Sequence, residues 1–312
     1  MRIFKHILTY FCFGLIFAVC TNTSQVSASS PKTFQVGETW TVDGQWSLTV
    51  LGATETANRN QFSDKNPAAV YIVDYIYTNL GYEKSYFDGL FISLEDTIVD
   101  STGVVGFSYP GDITNYPKET PIGATCIGQA CIGVNNAGTF KIMVSQYDGK
   151  NKKQSATFVI DPTLPVIDAS AIASGSVDNS SALQMGQTWV VDGQWSLTIT
   201  GVTKTNARNQ FSDKNPAAVY IVDYTYTNLG YEKSYFDGVF ISLDDMIVDS
   251  QGVMGYSYPG DITYYAKETP VGATCMAQEC IGVDHAGSFS ITVSQYDGKD
   301  KKQTQTFYIA TE

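Results

Sequence analysis

Histidine, cysteine and the acidic residues are the side chains from which this sequence could build chemistry, and their distribution is restrictive. The 312 residues contain two histidines, His6 and His285. His6 lies in the apolar N-terminal stretch, and the position of His285 is occupied by Asn136 in a repeated segment of the same chain. No chemistry shared by the two segments can therefore use histidine as a base or as a metal ligand. Serine and cysteine hydrolase triads are disfavoured on the same ground. What remains for catalysis is a carboxylate pair, for example Asp88 with Asp96, or Asp112 with Glu119. The competing reading is that these are solvated acids in the loops of an acidic protein. On balance no enzymatic activity and no catalytic residue is expected.

Cys126 and Cys131 in one segment and Cys275 and Cys280 in the other are the remaining thiols once the N-terminal stretch is set aside. An even number in an exported chain suggests disulfides. In an unbroken strand, residues five apart face opposite sides and lie about 16 Å apart, whereas a disulfide needs Cα atoms within roughly 7 Å. A turn at Ile127-Gly128-Gln129-Ala130 would let the pair close, and bonds Cys126–Cys131 and Cys275–Cys280 are expected. Such a short loop would contribute about 2 kcal/mol. Two cysteines without a nearby histidine do not make a zinc site, so no metal and no cofactor is expected. Trp40 and Trp46, with Trp189 and Trp195, either form a platform for sugar stacking or seal the end of a core. Closing a type I′ hairpin at Asp43-Gly44 puts Trp46 opposite Thr41 and diagonal to Trp40.

Two polar segments recur unchanged: 60–75 at 209–224, and 77–89 at 226–238. Loops normally vary first, so identical polar loops ask for a cause. One is recent duplication. The other is a ligand-binding surface present twice, formed by Asp64, Lys65, Tyr82, Glu83, Lys84, Tyr86 and Asp88, and again by Asp213, Lys214, Tyr231, Glu232, Lys233, Tyr235 and Asp237. Its tyrosines would supply contact area at low entropic cost.

The elements that must carry these residues are strands. The repeat aligns Gln35 with Gln184, Trp40 with Trp189, Cys126 with Cys275 and Ile160 with Ile309 without a gap. Each unit, of roughly 125 residues, is large enough to bury its own core. Copy 1 is expected over 32–160 and copy 2 over 184–312. The stretch 161–183, rich in Ser and Ala and broken by Pro and Gly, reads as a flexible linker with a reach of about 25 Å. Apolar and polar residues alternate at period two in Trp46–Val50, Val70–Thr78, Leu90–Leu94, Phe140–Val144 and Ala156–Ile160. This assigns Leu48, Val50, Val73, Tyr75, Tyr77, Phe140, Ile142, Val144, Phe158 and Ile160 to the core. Positions that differ between the copies, such as Lys141 and Ser290, Met143 and Thr292, Leu51 and Thr200, or Ile76 and Thr225, mark a wet face.

At the N-terminus, Arg2 and Lys5 followed by the apolar run Ile7–Val19 and the small residues Val26-Ser27-Ala28 read as a signal peptide over 1–28. A lipid anchor at Cys20 is the alternative. No later segment is apolar enough to span a membrane, and a secreted or extracellular location, at or near the cell surface, is expected. The formal charge is −12, and more negative still without Arg2 and Lys5. That balance disfavours nucleic acid and anionic lipid as partners.

The succession Val36-Gly37-Glu38-Thr39, Trp46 to Val50, Tyr71 to Asn79, Gly123 and Phe140 to Tyr147 resembles the immunoglobulin-like domains of secreted proteins and lipoproteins of Gram-positive bacteria. Those domains, of unknown function, are related to the mycobacterial immunoprotective extracellular antigen. The resemblance implies a β-sandwich and an extracellular setting and brings no catalytic residues. The expectation is an all-β protein: two tandem immunoglobulin-like β-sandwich domains acting as a non-catalytic binding or surface-interaction module for an unknown protein or cell-wall glycan. A structural envelope-associated protein and, less favoured, a carboxylate-dependent hydrolase are the alternatives. The oligomeric state is left open.

Overall fold

A computed structural model describes residues 32–84, 87–173, 175–233, 235–244 and 246–311. The expected signal peptide over 1–28 and the candidate Tyr86 lie outside the described residues.

Copy 1 contains β1 (Lys32–Gln35), β2 (Thr39–Val42), β3 (Trp46–Thr56), β4 (Ala69–Asn79), β5 (Thr97–Val99), β6 (Phe107–Ser108), β7 (Thr125–Val134), β8 (Phe140–Tyr147) and β9 (Lys153–Ile160). They form a five-stranded sheet, β2-β3-β4-β7-β6, and a four-stranded sheet, β1-β9-β8-β5, in which β1 runs parallel to β9. Copy 2 repeats the order with β10 (Leu183–Gln184), β11 (Thr188–Val191), β12 (Trp195–Thr205), β13 (Ala218–Asn228), β14 (Met246–Val248), β15 (Tyr256–Ser257), β16 (Thr274–Val283), β17 (Phe289–Tyr296) and β18 (Lys302–Ile309). Two all-β sandwiches in tandem are the result, as the alternating sequence pattern requires. Among the described residues no helix is long and apolar enough to cross a membrane.

Inward residues of the two sheets meet in one cluster per copy. All ten core residues named from periodicity in copy 1 are at most 1% exposed. Tyr75 and Tyr77 bury their rings there and still satisfy their hydroxyls, donating to Ile92 O (3.1 Å) and to Lys118 O. Trp40 and Trp46 meet edge to face at 5.7 Å, buried, so they seal the core and form no exposed sugar platform. Their hairpin differs by one residue from a type I′ turn. Val42 pairs with Trp46 across a three-residue loop, and positive φ is confined to Gly44. Leu90, Ile92 and Leu94 are buried as their period-two spacing predicts, but the segment joins no ladder: it is held by the bridge from Leu90 to Thr120 and by side-chain bonds from Tyr75 to Ile92 O and from Gln146 to Phe91 O.

The expected disulfides do not form. β7 runs unbroken through both cysteines, pairing Cys126 with Tyr77 and Cys131 with Ile72. Cys126 points into the core and Cys131 outward beside Val70 and Tyr109, and all four thiols are free. Gly128 makes no turn: it accommodates the Tyr75 ring, which a Cβ there would approach to 2.8 Å. Burial raises the thiol pKa at Cys126, Cys131 and Cys280, to about 11 for Cys280, which leaves them protonated and unreactive near neutrality. Adding dithiothreitol should therefore leave the melting temperature unchanged, within about 1 °C. A drop of several degrees would mean that bridges exist.

The linker is held along copy 1. Ile167 N–H donates to Leu51 O (2.9 Å) and Ser176 N–H to Gly123 O (2.8 Å), and a 3-10 turn at Ala169–Ala171 is capped by Asp168. Ile167, Ala169 and Ala173 cover Leu51, Ile76 and Ile127 on the outer face of the five-stranded sheet, joined by Val253 from copy 2. The random-coil reach of a free tether therefore does not describe 161–183. This also corrects the wet-face assignment: Leu51 and Ile76 are 1% and 4% exposed, while the uncovered copy carries Thr200 and Thr225, and in copy 2 Ser290 is buried too, at 3%.

Candidate functional site

The repeated polar segments lie at opposite ends of each sandwich. The loop with Asp64 and Lys65 joins β3 to β4 at one end, and the loop with Tyr82 to Asp88 leaves β4 at the other. Eleven residues of strand, about 33 Å, separate them. The structure thus divides the single surface expected from sequence into two.

Much of the loop identity has a structural cause. Asn79 is fully buried, and its amide donates to Tyr82 O (3.0 Å) and Thr120 O (2.9 Å) while its carbonyl accepts from Gly81 N (3.0 Å) and Tyr82 N (2.7 Å). Asn228 repeats all four bonds. The following glycine is required. Gly81 has φ +150°, and a Cβ there would come within 2.7 Å of Gly44 O, as one at Gly230 would of Gly193 O. At the opposite end Asn60 donates to Pro110 O and accepts from Phe62 N, and Asn209 does the same in copy 2.

These bonds sort the candidates. Tyr82 and Tyr231 are buried edge-on to Trp46 and Trp195, so both belong to the core rather than to a contact surface. Burial, reinforced by Glu119, raises the Tyr82 phenol pKa. Lys84 donates to Asn151 Oδ1 (2.9 Å), and Lys233 pairs with Asp300. Glu83 and Glu232 are exposed, and Tyr235 is 92% exposed. At the other end Asp64 and Asp213 are exposed; Lys65 lies over the Phe107 ring and Lys214 over Tyr256, 4.1 Å from its centroid. A cleft of about 400 Å³ adjoins this end in copy 2, lined by Arg208, Phe211, Tyr258 and Cys280.

In copy 2 the 229–239 loop frames a cleft of about 500 Å³ lined by Tyr231, Glu232, Lys233, Phe236, Asp237, Pro270 and Val271. Phe236 and Val271 are 55% and 50% exposed at its rim. Copy 1 has the same cleft, about 730 Å³, but Lys302 and Thr304 of copy 2 form part of its wall. There Asp88 accepts from Ser294 Oγ (2.8 Å) and pairs with Lys302. The two surfaces are equivalent in sequence and similar in the exposure of Phe87 and Phe236, 52% and 55%, and they differ in that copy 2 engages Asp88 and leaves Asp237 exposed.

Among the described residues Asp88 and Glu119 line a cleft of about 360 Å³ together with Lys118, Asp244 and Met246. Asp88 is committed to copy 2, Glu119 accepts from Asp88 N–H (2.8 Å), and Asp96 accepts from Ser145 N–H (2.9 Å). His285 performs the task of its counterpart. Its Nδ1 lies 2.8 Å from Asp249 Oδ2, just as Asn136 Nδ2 donates to Asp100 Oδ2 at 2.8 Å. Burial opposes the charge of Asp100, but Asn136, Val104 and Thr102 outweigh it and hold the carboxyl at about 2. Among the described residues no group of three His, Cys, Asp or Glu side chains could hold a metal ion.

Sequence reasoning missed the junction between the copies. Lys118 Nζ donates to Gly255 O (3.0 Å), Thr125 N–H to Gly252 O and Met254 N–H to Thr125 O (both 2.8 Å), and Lys214 Nζ to Asn115 Oδ1 (3.4 Å). The signal was present in the pairs Leu51/Thr200 and Ile76/Thr225, apolar in the covered copy alone. A comparison of the chain with protein-family models finds no match, and a comparison with curated proteins finds none.

Proposed function

We infer that the protein is a non-catalytic extracellular binding or surface-interaction protein, and that the 229–239 loop surface of copy 2 is where it engages a protein or a cell-wall glycan. The observation that carries this reading is a cluster of exposed aromatic and charged side chains, Glu232, Tyr235, Phe236 and Asp237, on a loop anchored by a fully buried asparagine. Aromatic side chains on a preorganised backbone lose little entropy on contact, which is the composition of a recognition surface. Its counterpart in copy 1 keeps Phe87 and Ile122 52% and 48% exposed, but Lys302 and Thr304 of copy 2 form part of its wall and Asp88 is engaged by copy 2. Avidity from two identical sites on one chain is not part of the proposal.

The test is retention of the protein on envelope and cell-wall material from the native culture. Tyr235→Ala with Phe236→Ala changes only side chains that are more than half exposed, so the fold should persist. Retention is expected to fall at least tenfold, the loss of about 1.4 kcal/mol or more typical of aromatic anchors. Equal retention of variant and wild type would sink this reading.

A further inference from the structure

We propose that the open loop surface of copy 2 takes a second copy of this chain, docking on the outer face of its copy 1 and repeating between chains the junction found within one. The proposal rests on the binding role inferred above and names its partner. Its ground is that the junction contacts of Asp88 and Lys118 have counterparts of the same residue types left open at the chain's two ends, whereas the Lys214–Asn115 contact does not carry over, Tyr264 standing at the place of Asn115. Inside the chain Asp88 meets Ser294 and Lys302. Asp237 is exposed on copy 2, and Ser145 and the exposed Lys153 stand at the matching places on copy 1. Lys118 donates to Gly255 O, and exposed Lys267 and Gly106 occupy the corresponding positions.

The apolar parts agree. Val253 and Met254, 1% and 6% exposed against copy 1, correspond to Val104 and Val105, which are 47% and 62% exposed. Ile127, packed under the junction, corresponds to Met276, 62% exposed. Large side chains have thus stayed apolar at Val104, Val105 and Met276. Thr200 and Thr225 stand at the positions of Leu51 and Ile76, which the linker and Val253 cover together in copy 1.

A contact between different patches of identical units is heterologous, so repetition extends it head to tail into a ring or a filament. The internal junction benefits from the high effective concentration set by its linker. The contact between chains lacks it and forms at higher protein concentration.

Sedimentation velocity of the full chain over a concentration series, at low and moderate salt, tests this. The mean mass is expected to rise past that of one chain, and Asp237→Lys or Lys153→Asp to raise the concentration for half-assembly at least tenfold. An equimolar mixture of D237K and K153D chains should recover it, since each restores an opposed charge for the other. A constant one-chain mass, or assembly indifferent to both exchanges, would overturn the proposal. K153D leaves the loop surface intact, so its retention on envelope material reads the binding role separately. A chain that stays single yet is retained loses only this proposal, and one that does neither loses both.

Discussion

Replacing Asn79 by leucine should destabilise copy 1 by about 3–4 kcal/mol, the upper range for a single substitution. The two side chains are close in volume, so little cavity opens. What changes is that Tyr82 O and Thr120 O lose a donor and Gly81 N–H loses its acceptor, in a place from which water is excluded. Tyr82 N–H keeps only a longer bond to Gln45 O (3.3 Å). Asn228→Leu should act equally on copy 2, where it also releases the loop that bears Tyr235 and Phe236. Urea unfolding of the single and double variants measures both. Costs below about 1 kcal/mol would show that the loop finds its own partners and that the identity of the repeated segments has another cause.

Val253→Asp should open the chain at its junction while leaving each sandwich folded. The side chain is 1% exposed, packed against Leu51, Ile76 and Ala173, and contributes to neither central core cluster. A carboxylate there has no partner, which should cost the docked state about 3 kcal/mol, roughly a hundredfold in its equilibrium. Released copies would swing on the linker, and the radius of gyration from small-angle scattering should increase. Amides of the outer sheet face around Leu51 and Ile76 should exchange faster. An unchanged radius would mean that the polar contacts of Lys118, Thr125 and Asp88 hold the copies together without the apolar seam.

The alternation along Val70–Thr78 and Phe140–Val144 was sufficient to read strands, their inward faces and the sandwich, because burial on one face of a pleat imposes period two whatever the neighbours are. It was sufficient even at Leu90–Leu94, where the burial followed without the ladder. Cys126 and Cys131 show where such reasoning stops. Either a turn or a straight strand was compatible with Ile127-Gly128-Gln129-Ala130, and the choice fell to the Tyr75 ring, which takes the space that Gly128 leaves. Asp64 and Tyr82 were grouped because both lie in repeated loops; the strand between them placed them at opposite ends.

What the sequence by itself determined is the doubled all-β domain, its core and the absence of a histidine common to both copies. These are properties of residue type and spacing within a unit. The tertiary structure alone decided that copy 2 walls the loop cleft of copy 1 and leaves its own open, that the linker is a covering segment, and that Leu51 and Ile76 belong inside. Those depend on which surface of one copy lies against the other. Identical loop sequences cannot encode that difference, because accessibility is a property of the neighbour and not of the residue.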